Sequence, residues 1–169
     1  MGSNNVKEER MPEKSHTPMN DVDVMLDMID HRDKVAAFMC RIAHDLSLRA
    51  IDHDKSKFSE RELPAFLEAT PGLRSLTYGS EEYKKELRRI KPAVDSHYLF
   101  NRHHPEHFAD GISGMDLVDL IEMLCDWAAA VKRHDDSSME KSVEINKDRF
   151  MVTSQLHTIL LNTIKNYHL

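Results

Sequence analysis

Residues 21–58 read DVDVMLDMIDHRDKVAAFMCRIAHDLSLRAIDHDKSKF and contain no glycine or proline. Large apolar side chains recur through most of this stretch at steps of three and four residues, the period of an α-helix. They are Val24, Met25, Met28, Val35, Phe38, Met39, Ile42 and Leu46. With Asn20 or Asp21 as N-cap, the pattern predicts a helix from Asp21 to about Ser47 with its apolar stripe towards a core.

The rest of the chain also has the composition of a helical protein. Its 169 residues include only 5 glycines and 6 prolines, too few for the many tight turns of an all-β fold. Further helices are predicted over 59–69, 80–102 with a kink or split at Pro92, 115–132, and once or twice within 138–167. Ser59 and Glu62 have capping-box spacing. We expect a disordered lead over residues 1–19 and a single all-α domain of about five or six helices over 20–169.

Charge and cysteine usage narrow the class of protein. The formal net charge is −6 with no basic block, which disfavours extended nucleic-acid binding. No window has the ~18 apolar residues of a membrane span, and the N-terminus lacks the apolar segment of a secretory signal. Cys40 and Cys125 lie in apolar helical stretches without CxxC spacing, as expected of buried thiols in a reducing cytosol. A cytoplasmic protein is therefore predicted.

Histidine is the residue that points to chemistry. The chain has 11 histidines, and four of them crowd between residues 97 and 107. Imidazole is both a common metal ligand and an acid–base group near neutral pH. The dipeptide His-Asp occurs three times, as His44-Asp45, His53-Asp54 and His134-Asp135.

Helical geometry and position along the chain argue against a metal-binding role for two of these copies. At 100° and 1.5 Å per residue, His44 would lie roughly 140° around the first helix from His31 and about 20 Å along it. The two histidines cannot share an ion, so His44-Asp45 is expected to be a solvated or structural pair. His134 lies in a polar connector after a helix, where histidine complements the helix dipole.

His53-Asp54 lies where the helical pattern ends. A turn between Ser47 and Asp52 would bring it back towards His31 on the apolar stripe. In one unbroken helix, by contrast, His31 and His53 would be about 33 Å apart and the pairing would fail.

Two motifs resemble the HD-domain superfamily of metal-dependent phosphohydrolases. HDKSK (53–57) is similar to the HD-x-G-K core of its cyclic-dinucleotide phosphodiesterase branch. HHPEHFADGISG (103–114) is similar to that branch's His-His-Glu element and glycine turn. The resemblance covers roughly residues 25–135 and is closest to small microbial HD-like proteins. Ser56 replaces the usual glycine and the Gly-Tyr-Pro element is absent, so specificity for cyclic dinucleotides is not carried over.

The resemblance implies an all-helical core that holds one or two metal ions. It implies ligands at His31, His53 and Asp54, with a closing aspartate late in the domain. In two-metal members further histidines bind the second ion and the aspartate of the motif bridges. The residues that match these histidines in type are His97, His103 and His104.

Asp126 is the preferred closing ligand. It shares a predicted helix face with Asp119 and Glu122, at i, i+3 and i+7. Apolar residues flank it in MLCDWAAA (123–130), and a carboxylate buried there needs a partner. Asp119 is the alternative, and Asp116, Asp119 and Glu122 are each compatible with a solvated face.

The clustered histidines leave alternatives open. His97 lies on a stripe with Ile90 and Val94, which fits a core histidine as well as a ligand or an acid–base group. His104 is seven residues further on and nearly on the same face, so it is preferred to His103 as a ligand.

Together these expectations predict an HD-type hydrolase in which Asp54 is both a metal ligand and a catalytic residue. Metal ions would lower the pKa of a water molecule that attacks a phosphate ester, by resemblance a nucleotide. Imidazole and carboxylate ligands suit Fe, Mn, Co or Ni better than Mg. Lys57 is the first candidate to hold the phosphate, ahead of Arg102, Lys147 and Arg149. His97, His103 or His107 would protonate the leaving oxygen.

Two other functions stay open at this point. One is a di-iron oxygenase on the same fold, and the other is a binding or regulatory module with a vestigial metal site. The expected partner is a small phosphorylated substrate rather than a membrane or an extended nucleic acid, and a homodimer is compatible with the chain.

Overall fold

The computed structural model describes residues 19–77, 79–132 and 138–169, and every regular element within these ranges is helical. The α-helices are α1 (Asp21–Asp52), α2 (Leu63–Arg74), α3 (Glu81–Arg89), α4 (Lys91–Phe100), α5 (Leu117–Val131), α6 (Met139–Arg149) and α7 (Ser154–Tyr167). Short 3-10 turns lie at Lys55–Phe58, Pro105–His107 and Gly111–Gly114. The all-α prediction is confirmed, with seven described α-helices rather than five or six.

The chain divides into two compact units, one ending at Arg41 and one running from Ile42 to Leu169. In the first unit all the described residues, 19–41, are exposed. The prediction that the apolar stripe and His31 face a core is therefore wrong, because no second described element of this unit covers them. Residues 1–18 lie outside the described residues, and the disordered lead and the single domain stay predictions.

The second unit has its apolar core among its last three helices. The buried cluster is Met123, Leu124, Trp127 and Ala128 of α5, Met139 and Val143 of α6, Val152, and Leu160 and Ile164 of α7. Ala69, Ile90 and Ala93 are buried at α2 and at the start of α4. No described helix is both long enough and apolar enough to cross a membrane.

The turn predicted between Ser47 and Asp52 is absent, because α1 is unbroken to Asp52. The pairing of His31 with His53 depended on that turn and loses its basis. The chain bends two residues later instead, at Asp54, whose φ of 59° is left-handed. Aspartate tolerates this conformation better than most residues.

Several local predictions are corrected or confirmed. The second helix begins at Leu63 rather than Ser59 and continues through Pro71 to Arg74. Pro92 does split the next pattern, because α3 ends at Arg89 and α4 begins at Lys91. Asp116 caps α5 by accepting hydrogen bonds from Val118 N and Asp119 N.

Cys40 and Cys125 are exposed, contrary to the buried thiols expected. His134-Asp135 lies outside the described residues.

Candidate metal centre

Four segments of the second unit converge on one cluster of imidazoles and carboxylates. The bend after α1 supplies His53 and Asp54, α4 supplies His97, the loop after α4 supplies His103 and His104, and α5 supplies Glu122 and Asp126. Three groups within this cluster have ligand atoms within 4.8 Å of one another. They are Asp54, His97, His103 and His104; His53, Asp54 and Asp126; and His53, His103 and Glu122.

The first group directs four buried atoms at each other. Asp54 Oδ1 and the Nε2 atoms of His97, His103 and His104 are buried, and none has a hydrogen-bond partner. His97 Nε2 is 3.1 Å and His103 Nε2 is 3.6 Å from Asp54 Oδ1. Buried polar atoms normally have a partner. A cation held between these four atoms would give all of them one.

The second group uses the other oxygen of the same aspartate. His53 Nε2 is 3.6 Å from Asp54 Oδ2 and 3.6 Å from Asp126 Oδ1. The Lys57 ammonium also forms an ion pair with Asp54 Oδ2. The carboxylate of Asp54 therefore turns one oxygen to each ligand group.

Glu122 orients two of the imidazoles. Its Oε1 lies 2.9 Å from His53 Nδ1 and 3.1 Å from His103 Nδ1. When each Nδ1 donates a proton to this oxygen, each Nε2 keeps its lone pair and faces Asp54. Glu122 was expected to be compatible with a solvated face, but its side chain is only 14% exposed. The helical spacing to Asp126 is the signal that could have assigned it.

Glu62 orients the imidazole of His97 in the same way. Its position in the sequence did not indicate this role. Its side chain is fully buried and accepts from the hydroxyls of Ser56 and Ser96. His97 Nδ1 is 3.2 Å from Glu62 Oε2. The predicted capping box with Ser59 is therefore wrong, because this side chain turns inwards.

One arrangement of hydrogens gives every polar neighbour of His97 a partner. Asn101 Nδ2 has two protons, and these go to Ser56 Oγ and to the carbonyl of His97, each at 2.7 Å. A carboxylate can only accept. His97 therefore donates from Nδ1 to Glu62, which leaves its Nε2 as an electron-pair donor aimed at Asp54.

Asp119 has a structural task. Its fully buried carboxylate accepts from Arg49 Nη1 at 2.6 Å, from Arg102 Nε and Nη2 at 3.0 and 2.8 Å, and from Asp116 N at 3.0 Å. The structure thus brings Asp126 rather than Asp119 to the ligand groups, and it commits Arg102 to an internal ion pair.

The remaining predicted residues lie elsewhere or are already paired. His31 is exposed in α1 and belongs to none of the ligand groups found among the described residues. His107 is also outside them, and its Nδ1 donates to the carbonyl of Tyr98 at 3.0 Å. Lys147 and Arg149 form ion pairs with Glu144 and Glu106.

The charges around the cluster separate two kinds of histidine. Hydrogen bonds to Asp126 and Glu122 raise the pKa of His53 to about 10. Burial, together with the nearby His103, lowers the pKa of His104 to about 3. At neutral pH His104 therefore offers a lone pair, whereas His53 carries a proton that an incoming cation would displace.

The carboxylates of the cluster are held in their charged form. Burial alone would raise the pKa of Asp54, but the contact with His97 and the ammonium of Lys57 bring it well below its usual range. Burial would also raise the pKa of Glu122, but the hydrogen bonds from His103 and His53 lower it to about 2. Carboxylate oxygens and imidazole nitrogens gathered in one cluster are the ligand chemistry of divalent transition metals.

Comparison with the curated proteins and with the solved structures gave no match. A family model matches residues 19–167, which is nearly the whole chain and includes every residue of the cluster. The chain therefore belongs to the family of unknown function DUF5662.

Proposed function

We propose that this chain is a metal-dependent phosphohydrolase that acts on a phosphate ester. The observation that carries the proposal is the position of Asp54, whose Oδ1 faces His97 and His103 while its Oδ2 faces His53. A carboxylate shared in this way between two ligand groups fits the bridging aspartate that the HDKSK motif implies by its resemblance to the HD-domain superfamily. Four unpartnered buried atoms at the same point support a metal-binding role.

The two ligand groups differ in chemistry. Three imidazoles and one carboxylate suit Fe, Mn, Co or Ni, and the second group has one imidazole and two carboxylates. Bound divalent ions would lower the pKa of a water molecule and neutralise charge on a phosphate. Glu122 and Glu62 hold the imidazole Nε2 atoms towards the cluster.

Other residues of the chain supply what remains of a hydrolytic reaction. The Lys57 ammonium is a third exposed and pairs with Asp54, so it can move to a phosphate oxygen beside the cluster. His97 and His103 direct their Nε2 atoms inwards as ligands, and His107 lies outside the ligand groups, so none of the three histidines considered for protonation of the leaving oxygen is assigned that role. A nucleotide is the proposed substrate, by the resemblance. The exposed free thiols of Cys40 and Cys125 suit the reducing cytoplasm.

The decisive experiment compares two aspartates that each follow a histidine. Wild type, Asp54→Ala and the matched control Asp45→Ala would be purified without a tag, analysed for metal, and screened for phosphate release from nucleotides. Asp45 pairs with Arg49 on α1 and takes no part in the ligand groups. We expect bound metal and turnover in wild type and in Asp45→Ala, with turnover reduced more than about 100-fold in Asp54→Ala.

Three outcomes would contradict the proposal. Equal turnover in wild type and Asp54→Ala would place any phosphatase activity outside this cluster. Iron loading with O₂ uptake and no phosphate release would instead favour the oxygenase. Bound metal with neither reaction over a broad substrate panel would favour a binding module.

A further inference from the structure

The first 21 residues of α1 carry an apolar surface that no described residue of their unit covers. Nine large apolar side chains between Asp21 and Arg41 are at least 41% exposed. They are Val22, Val24, Met25, Leu26, Met28, Ile29, Val35, Phe38 and Met39. Soluble proteins rarely leave so continuous an apolar surface in water unless it binds something.

The central residues of this surface follow a seven-residue repeat. Met25, Met28, Arg32, Val35 and Met39 are spaced alternately by three and four residues, the pattern of a helix that packs along another helix. We call these five residues the α1 seam. Arg32 is its one charged member, and a single polar residue in such a seam usually fixes how two helices align, at a cost in stability.

Nothing else in the chain's own N-terminal sequence has the composition to cover the seam. The 20 residues before α1 include only Met1, Val6, Met11 and Met19 as large apolar residues. Most of the stability of a helix in a protein comes from the packing of its apolar face. The seam therefore needs a partner with an apolar stripe of similar length.

The distribution of charge along α1 identifies a partner. Residues 21–30 contain four aspartates and no lysine or arginine, whereas residues 31–41 contain three cations and one aspartate. A parallel pair of α1 helices would place the acidic segments against each other. An antiparallel pair places each acidic segment against the net cationic segment of the other helix.

We propose that the α1 seam binds the same seam of a second copy of this chain, with the two helices antiparallel. The pair has twofold symmetry, so every contact occurs twice. This homodimer is independent of the metal chemistry proposed for the second unit.

The first experiment measures association by sedimentation equilibrium of the full chain. Met28→Glu/Met39→Glu puts two carboxylates into the seam, whereas Ala37→Glu puts one on the helix face 180° around from Met28. We expect wild type and Ala37→Glu to be dimers, and the double variant to dissociate with a Kd raised by more than about 100-fold. Near-ultraviolet circular dichroism of Trp127, the chain's one tryptophan, reports the fold of the second unit, because this side chain is buried in its core. A monomeric wild type, or a double variant that dimerises as well as wild type, would overturn the proposal.

A second experiment tests the orientation. Asp21→Lys/Asp23→Lys/Asp27→Lys reverses the charge of the acidic segment. In an antiparallel pair this change creates repulsion and should weaken the dimer about tenfold at low salt, and adding Lys34→Glu/Arg41→Glu should restore it. In a parallel pair, the reversal replaces the repulsion between two acidic segments by a weaker repulsion between two segments of smaller, positive net charge. A dimer that is unchanged or tighter after the triple reversal would therefore overturn the antiparallel arrangement.

Discussion

Replacement of the buried Glu62 by glutamine tests whether the cluster is organised to bind a metal. Glu62 Oε2 accepts from His97 Nδ1 and from Ser56 Oγ, and Oε1 accepts from Ser96 Oγ. Glutamine has nearly the same shape, but its amide group can donate to His97 Nδ1. That donation would favour the tautomer with the proton on Nε2, which has no lone pair for an ion.

The size of the effect follows from what the substitution removes. Asp54, His103 and His104 remain as ligands of the first group, so binding should weaken rather than vanish. Loss of a carboxylate that orients a metal-bound histidine typically reduces metal affinity 10- to 100-fold, about 1.4 to 2.7 kcal/mol. Ser96→Ala removes another hydrogen bond from the same carboxylate without touching His97, and it should leave affinity within about threefold of wild type.

The assay is competition for Mn²⁺ or Co²⁺ between the protein and a chelator of known affinity. Co²⁺ adds a visible spectrum that reports the number of nitrogen ligands. Thermal unfolding with and without metal shows whether each variant folds and whether the ion stabilises it. If Glu62→Gln is folded and binds metal as tightly as wild type, with an unchanged Co²⁺ spectrum, the assigned role of Glu62 is refuted.

Three further predictions concern the same cluster and its support. Asp54→Asn should weaken metal binding at both ligand groups, and an affinity that falls for one ion only would contradict the shared carboxylate. Asp119→Asn should lower the free energy of unfolding, measured by urea titration, by about 2 kcal/mol, a moderate loss because both arginine partners are partly exposed. Metal analysis of this variant should show an unchanged metal content. In metal-free protein the raised pKa of His53 stabilises the fold fully below about pH 6.5, and this stabilisation is lost as the pH rises towards 10. The lowered pKa of His104 destabilises the fold as the pH falls below 6.5. Urea unfolding in the presence of a chelator should therefore show maximal stability near pH 6.5. His53→Asn should reduce the loss of stability above that pH.

Local sequence patterns predicted the helices well and their ends less well. The three- and four-residue spacing identified α1, and Pro92 identified the boundary between α3 and α4. The missing turn before Asp52 shows why ends are harder to predict. No glycine or proline was needed, because one left-handed aspartate, Asp54, makes the bend. The α1 stripe was assigned to a core because periodicity shows which residues share a face, not what covers that face.

The candidate cluster was only partly accessible from the sequence for a related reason. Residue type and motif spacing selected His53, Asp54, His97 and the adjacent histidines as ligand candidates, and these are residues whose chemistry is unusual. Glu62 was missed because an ordinary N-capping pattern accounted for it locally. Its contacts with Ser96 and His97 cross 34 and 35 residues of chain, a distance over which local pattern carries no information.

The serine that departs from the HD-x-G-K pattern connects the bend to the orientation of His97. Left-handed backbone falls at Asp54, and Ser56 lies within the following 3-10 turn, so position 56 does not require the conformational freedom of glycine. A side chain is therefore tolerated there, and its hydroxyl donates to Glu62 while accepting from Asn101. The same five-residue segment thus bends the chain, presents Asp54, and contributes to the hydrogen bonds that hold His97. A glycine at position 56 would keep the bend but remove the hydroxyl that joins Asn101 to Glu62.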